Sequence, residues 1–322
     1  MNILITGCAG FIGYHLCQRL LNNLKFNVIG IDNVNDYYDV KLKKHRLNIL
    51  KKNKKFLFKK IDISNNSKLN KLFIEFKFRY VINLAAQAGV RHSIKNPDIY
   101  FRSNILGFCN LIFLSQKFKV KHFVYASTSS VYGDQKKYPI REDMNTDFPL
   151  SFYAATKKSN EVIAHSISYI HKLPTTGLRF FTVYGPLGRP DMALHTFTNK
   201  IINNKRLTLF NYGNHERDFT YIDDIVEGIE KVLCKPPNKP IPFNIFNIGG
   251  NKSHKLKKFL SLIESNLKKN AKISYKPLQK GDVIKTRANS NKLDNYINKK
   301  KYISLNFGIK SFISWYRRFY NE

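Results

Sequence analysis

Acidic side chains are scarce in this chain. Its 322 residues hold 22 Asp and Glu against 55 Lys and Arg, a formal net charge of +33. Taken alone, that balance would suit a nucleic acid or an anionic membrane. The lysines, however, are spread along the whole length with abundant Asn, Ile, Phe and Tyr, as an AT-biased genome would leave them. An arginine-rich arm and an aromatic–basic RNA motif are both missing. The densest basic stretches, 51–60 and 299–301, read as solvated helix faces or loops. No nucleic-acid partner is therefore expected, although a basic surface still attracts an anionic, nucleotide-linked substrate.

Cysteine is rare as well. The four residues, at 8, 17, 109 and 234, match neither disulfide nor zinc spacing, which points to a reducing cytoplasm. The nine histidines show no i, i+4 or cysteine-paired pattern, so no metal is expected. Without a Gly-x-Ser-x-Gly elbow, a serine-triad hydrolase is unsupported. No apolar run approaches membrane-spanning length and the N-terminus lacks a basic stretch, so neither membrane nor signal peptide is expected. Internal repeats and long linkers are missing too, and 236–240 reads as a surface loop. What remains is enough chain to bury a core in two lobes.

What is present opens the protein. Asn2-Ile-Leu-Ile-Thr6 is a short apolar run, Gly7-Cys-Ala-Gly10-Phe11-Ile12-Gly13 follows at once, and 14–21 reads as a helix buried through Leu16, Leu20 and Leu21. Strand, glycine turn and helix in that order satisfy the dinucleotide fingerprint. Gly7 allows the turn, Gly10 lets backbone N–H groups approach a pyrophosphate, and Gly13 lets helix pack on strand. The helix N-terminus offers partial positive charge. A second strand, 27–31, ends in Asp32, nineteen residues after Gly13, where a carboxylate takes the adenosine ribose hydroxyls. An acid there repels a 2′-phosphate, so NAD is favoured over NADP.

Further along, strands at 55–58, 80–84 and 122–126 alternate with helical stretches at 36–51, 65–77 and 98–117. That alternation predicts an α/β fold with a doubly wound parallel sheet. Small residues after 80–84 let backbone lie against the cofactor, and the hydroxyl run from Ser127 to Ser130 faces the ligand crevice. Tyr153 and Lys157 stand four apart, on one helix face. A phenol titrates near 10. A cation beside it favours the phenolate and makes tyrosine a usable base.

Together, Gly7-x-x-Gly10-x-x-Gly13, Ser127-Thr128 and Tyr153-x-x-x-Lys157 resemble the extended short-chain dehydrogenase/reductase superfamily over nearly the whole chain. Within it the sequence is most similar to UDP-glucuronate 4-epimerases. The similarity lies in Asp32-Asn-Val-Asn-Asp-Tyr-Tyr-Asp39, Ala85-Ala-Gln-Ala-Gly-Val-Arg91, Leu178-Arg-Phe-Phe-Thr-Val-Tyr-Gly185, Gly188-Arg-Pro-Asp-Met192 and Arg217-Asp-Phe-Thr-Tyr-Ile-Asp-Asp224. The resemblance implies a Rossmann domain at 1–178, with 218–249 returning to it. A smaller α/β nucleotide-sugar lobe is implied at 179–217 and 250–322. It implies NAD contacts at Gly7, Gly10, Phe11, Ile12, Gly13, Asp32, Asn33, Asp62, Ile63, Leu84, Ala85, Ala86, Asn104 and Ser127, with Tyr153 and Lys157. Substrate contacts would be Gln87, Arg91, Thr128, Ser129, Ser130, Thr182, Arg189 and Arg217, with Arg287 as a substitute phosphate ligand. A homodimer through helices near 98–117 and 153–170 follows by the same likeness.

The implied reaction oxidises the sugar at C4, with Tyr153 as base, Lys157 tuning it and Thr128 bonding the sugar oxygen. Hydride then returns to the opposite face of the ketone. Related dehydratases carry Asp-Glu after the threonine; Ser129 and Ser130 stand there instead, which argues against dehydration. Thr182 occupies the place where galactose-type epimerases have asparagine, and is read as a carboxylate contact. Two departures are Asn83, where similar sequences often have histidine, and 279–283, which lacks a phosphate arginine. Asp223 and Asp224 read as helix-capping and structural rather than catalytic. Alternatives that stay open are a UDP-glucuronate decarboxylase, a UDP-glucose or UDP-N-acetylglucosamine 4-epimerase, and a non-catalytic dinucleotide-sensing or RNA-binding protein.

Overall fold

The apolar runs near the N-terminus are buried along almost their whole length, as strands covered by helices on both faces must be. The computed structural model describes residues 1–23, 25–279 and 282–321. Its strands are β1 Asn2–Thr6, β2 Asn27–Asp32, β3 Phe56–Lys60, β4 Tyr80–Asn83, β5 His122–Thr128, β6 Thr175–Phe180, β7 Thr182–Tyr184, β8 Leu207–Phe210, β9 Glu216–Tyr221, β10 Phe243–Ile248, β11 Ser253–Lys255 and β12 Ile273–Lys276. Seven of them form one parallel sheet in the order β10-β6-β5-β4-β1-β2-β3. The order reverses between β1 and β4, so a crevice opens at their carboxyl ends. A three-stranded sheet, β11-β9-β7, and a two-stranded one, β12-β8, build a smaller C-terminal part. The doubly wound fold expected from the sequence is the one observed.

Element ends differ where local chemistry outweighs periodicity. The first helix, Phe11–Leu21, starts at the glycine turn itself, because Gly13 fits where a Cβ would lie 2.1 Å from the Gly7 carbonyl oxygen. The helix expected at 36–51 is shorter, Val40–Leu50, because Asp39 caps it by accepting from Lys41 N. The helix expected at 98–117 is interrupted: Phe101–Leu106 is a turn of π-helix between Pro97–Tyr100 and Gly107–Lys117. The Asn104 carbonyl accepts from Asn160 Nδ2 at 2.7 Å there, and Gly107 admits Ile63 so closely that a Cβ would meet it at 2.5 Å. Strand β5 continues past residue 126 to Thr128, which carries the hydroxyl run to the sheet's edge.

Polar contacts tie the layers together and hold the C-terminal segment. Helix Ile222–Leu233 packs on helix Phe11–Leu21, joined by an ion pair between Arg19 and Glu230. Behind β5, Arg179 donates through Nε and Nη2 to Glu161 at 2.9 and 2.8 Å, both side chains buried. Arg179 Nη1 donates to Tyr132 Oη at 2.8 Å, and that hydroxyl to Asn247 Oδ1 at 2.6 Å. The paired fork offsets the cost of burying both charges. Asp224 clamps the C-terminal segment, accepting Ile303 N at 3.0 Å and pairing with Lys299 at 2.9 Å; its helix is capped by Tyr221 without a side-chain bond. Its role is therefore structural, through the clamp rather than the cap. Lys280 and Gly281, within 279–283, lie outside the described residues.

Candidate active site

A cavity of about 630 Å³ opens at the carboxyl ends of the parallel strands. Its cofactor end is mostly backbone. Gly7, at φ +71°, faces Ala85 so closely that a Cβ would stand 2.8 Å from Ala85 N. Thr6 Oγ1 accepts from Ala85 N at 3.0 Å and donates to Asn83 Oδ1 at 2.7 Å, which fixes the end of β4 against the turn. Asn83, the departure from similar sequences, thus acts as a strand-end acceptor. Gly10 caps the helix with no side-chain acceptor. The first N–H groups are left for a ligand.

Asp32 closes that end, its oxygens accepting from Ala9 N at 3.1 Å and Val34 N at 2.7 Å. Burial raises its pKa, while those bonds and the Lys43 ammonium pull the other way. Asn33 donates to Asp62 Oδ2 at 2.7 Å, and Ser64 backbone and hydroxyl donate to Asp62 Oδ1 at 2.8 Å each. Phe11, Ile12, Ile63, Leu84 and Ala86 also line it. Glycines with no room for a Cβ, an uncapped helix start and a carboxylate at the next strand's end fit a dinucleotide.

The middle of the cavity holds Tyr153 and Lys157. Ser151 Oγ accepts from Ala154 N and starts helix Phe152–His171, which presents Tyr153 and Lys157 to the cavity. Burial raises the Tyr153 pKa above 10; the Thr128 hydroxyl, and then the Arg189 guanidinium, act in the opposite sense. Lys157 is buried, its Nζ donates to Ala126 O at 2.8 Å, and burial lowers its pKa to about 8. The β5 carbonyl thus fixes one N–H of the ammonium, leaving its charge on the Tyr153 side of the helix. Ser127 also lines the cavity, but its hydroxyl donates to Glu161 Oε1 at 2.5 Å, anchoring it to the buried Arg179 pair.

At the far end, Thr128, Ser129, Ser130, Thr182, Gln87, Arg91 and Arg189 face the same space. Thr128 Oγ1 donates to Ser130 Oγ at 3.2 Å and accepts from Ser130 N at 3.2 Å. Arg189 makes a fork to Asp191 at 3.0 and 2.5 Å; burial works against its charge, but Asp191 more than offsets this and raises its pKa. Arg91 pairs with Asp282 at 2.7 Å and lies 5.3 Å over the Phe210 ring.

Three expected contacts lie elsewhere. Asn104 is buried behind the wall, holding Gln87 N and Thr156 Oγ1 at 2.8 and 3.1 Å. Arg217 donates to its own lobe, to Glu216 O and Ile284 O at 2.9 Å each. Arg287 is exposed, its Nε directed at Asn251 O. Conversely, Lys43 lines the cofactor end, buried and bonded to Asn35 O at 2.7 Å, although sequence reasoning passed it over as one lysine among many. Its one signal was its place shortly after the motif that begins at Asp32.

Fold and site define a Rossmann-type enzyme that uses a dinucleotide. The family model described as the NAD dependent epimerase/dehydratase family matches residues 3–249, and the chain belongs to that family. It is 47% identical to Protein CapI of Staphylococcus aureus, covering all of both chains. It is 43% identical to a UDP-glucuronate 4-epimerase of Thermodesulfobacterium geofontis, over 97% of this chain and 95% of that one. Among solved structures, UDP-glucuronic acid 4-epimerase from Bacillus cereus, in complex with UDP-glucuronic acid and NAD, superposes with a TM-score of 0.93. That match has 36% identity and covers 99% and 100% of the two chains. The protein is an NAD-dependent enzyme of the nucleotide-sugar epimerase type.

Proposed function

We propose that the enzyme interconverts UDP-glucuronate and UDP-galacturonate by inverting C4. NAD⁺, when bound, supplies reversible two-electron oxidation at a carbinol carbon. Tyr153 takes the proton from the 4-hydroxyl and gives it back to the inverted centre. Thr128 holds the sugar oxygen, and Lys157 adds positive charge below its pKa of about 8. The cofactor-binding residues are those at the glycine turn, Asp32, Asn33, Asp62 and the end of β4.

What supports glucuronate is the set of four hydroxyls, on Thr128, Ser129, Ser130 and Thr182, that share the cavity with Tyr153. A 4-keto glucuronyl group is a β-keto acid and loses CO₂ once its C5–carboxyl bond aligns with the carbonyl π system. Neutral hydroxyls bind the carboxylate without driving it into that alignment. No carboxylic acid flanks Thr128 to protonate a 6-hydroxyl, so dehydration lacks its donor. Arg189, Arg91, Arg217 and Arg287 are assigned to the diphosphate side, the last two requiring movement from their present partners.

By this reading residues 1–178 and 218–249 form the NAD-binding domain, while 179–217 and 250–322 form the nucleotide-sugar lobe. A homodimer is proposed through helices Gly107–Lys117 and Phe152–His171 and the residues before them. There Phe101, Phe113, Val162, Tyr169 and Ile170 are all more than half exposed. Apolar area of that kind favours association. A cytoplasmic location fits the free cysteines, and no helix among the described residues is long and apolar enough to cross a membrane.

The test is incubation with UDP-glucuronate, UDP-glucose and UDP-N-acetylglucosamine in parallel, reading C4 configuration by proton NMR. Inversion of the glucuronate alone is expected. Exclusive turnover of a neutral sugar would replace the assignment, and a pentose product would mean decarboxylation.

A further inference from the structure

The loop that carries Arg189 into the cavity is held by the cofactor half of the molecule. Strand β7 ends at Tyr184, and 185–188 lead directly to Arg189. Leu187 sits at φ +55°, left-handed for a branched side chain. A Cβ on Gly188 would stand 2.9 Å from the Gly185 carbonyl oxygen. A loop wound this way costs roughly 1 kcal/mol or more and persists only when its surroundings hold it.

Three successive carbonyls receive that support. His15 Nε2 donates to Pro186 O at 2.9 Å. Burial lowers the His15 pKa to about 4, so the ring is neutral and the Nε2–H tautomer is the one that fits a carbonyl acceptor. Arg46 Nη2 donates to Leu187 O at 2.6 Å and reaches Gly188 O at 3.5 Å. The same guanidinium donates through Nη1 to Ala9 O, in the glycine turn, and to Tyr38 Oη, at 2.8 Å each. Arg46 is fully buried, its Nε has no acceptor, and no ion pair to a carboxylate is found for it among the described residues. A buried cation hydrogen-bonded to carbonyls and a phenol, with no carboxylate in direct contact among the described residues, is expensive to keep. Packing alone would favour an apolar side chain there.

We propose that His15 and Arg46 are positioning residues that lock the 185–189 loop to the dinucleotide turn, so that the cofactor half sets where Arg189 stands. Only the kinetic arm of the test rests on the epimerase reading. In holoenzyme turning over UDP-glucuronate, Arg46→Met should lower kcat/KM about 100-fold, the loss that a misplacement near 1 Å can cause. In an Arg189→Met background the same change should cost less than about 3-fold, because both act through one group. Additive losses would overturn the proposal.

The second arm needs no substrate. Hydrogen–deuterium exchange of the holoprotein should show the amides of 185–192 opening at least about tenfold faster in His15→Ala. His15→Gln, whose amide can still donate, should restore protection. Exchange in His15→Ala equal to wild type would also overturn the proposal. Should Arg46→Met fail to fold, the histidine pair decides. Should wild type leave UDP-glucuronate untouched, the substrate assignment falls and the exchange result still stands.

Discussion

The two ends of the cavity are built differently. At the cofactor end, three glycines, one helix start and the end of β4 present backbone to the ligand, and polar side chains such as Asp32, Asn33, Asp62 and Lys43 close it. At the sugar end, side chains from 87–91, 128–130, 182, 189–191 and 282 converge from distant segments. Their charged members are already paired with each other, Arg189 with Asp191 and Arg91 with Asp282. A backbone cradle admits any dinucleotide of the right shape and tolerates little change. A side-chain end can be retuned one residue at a time, which is how one fold serves different sugars.

Breaking the cradle should have the largest effect. Gly13→Ala sets a Cβ 2.1 Å from the Gly7 carbonyl oxygen, which neither backbone segment can avoid. A loss of about 3 kcal/mol in stability and the near-absence of bound NAD are expected. Chemical denaturation and the absorbance of released cofactor measure both. Full NAD occupancy would mean that the turn is looser than its geometry.

Between the ends, Lys157→Met removes a buried ammonium one helical turn from the phenol. The sign is fixed: a cation stabilises phenolate, so removing it raises the Tyr153 pKa and moves the acid limb of kcat to higher pH. A shift of about one unit corresponds to about 1.4 kcal/mol. A limb that stays put would assign the tuning to Arg189 instead.

At the sugar end, Thr182→Asn should shift the ratio of kcat/KM for UDP-glucuronate over UDP-glucose about tenfold toward the neutral sugar. An unchanged ratio removes Thr182 from carboxylate recognition. The smallest effect belongs to Asp282→Asn. Arg91 is more than half exposed, and an ion pair of that kind is worth at most about 0.5–1 kcal/mol. Thermal melting should barely register its loss, whereas Glu161→Gln, which uncovers buried Arg179, should cost several kcal/mol.

The same contrast explains what the sequence made legible. The glycine turn, Asp32 and the Tyr153–Lys157 spacing were readable because each is local: a few consecutive residues, or one helical turn, specify it. The strand order followed from alternation of short apolar runs with helices. Arg217 and Arg287 were expected against substrate, yet they bond Ile284 O and Asn251 O, partners that only long-range folding brings near. Ser127 lines the cavity as expected, but its hydroxyl proton goes to Glu161, whose pairing with Arg179 no local pattern announces. His15 and Arg46 gave no signal at all, since they hold backbone carbonyls 171 and 141 positions further along, and Arg46 also one in the glycine turn.

The central claim is that one aromatic oxygen moves a proton while the hydrogen on C4 leaves and returns within a single active site. UDP-glucuronate deuterated at C4, incubated with the holoenzyme in ordinary water, tests it most directly. The account predicts UDP-galacturonate with deuterium still on C4, and no such product from Tyr153→Phe. Deuterium appearing in solvent, or a five-carbon sugar with released CO₂, would contradict it.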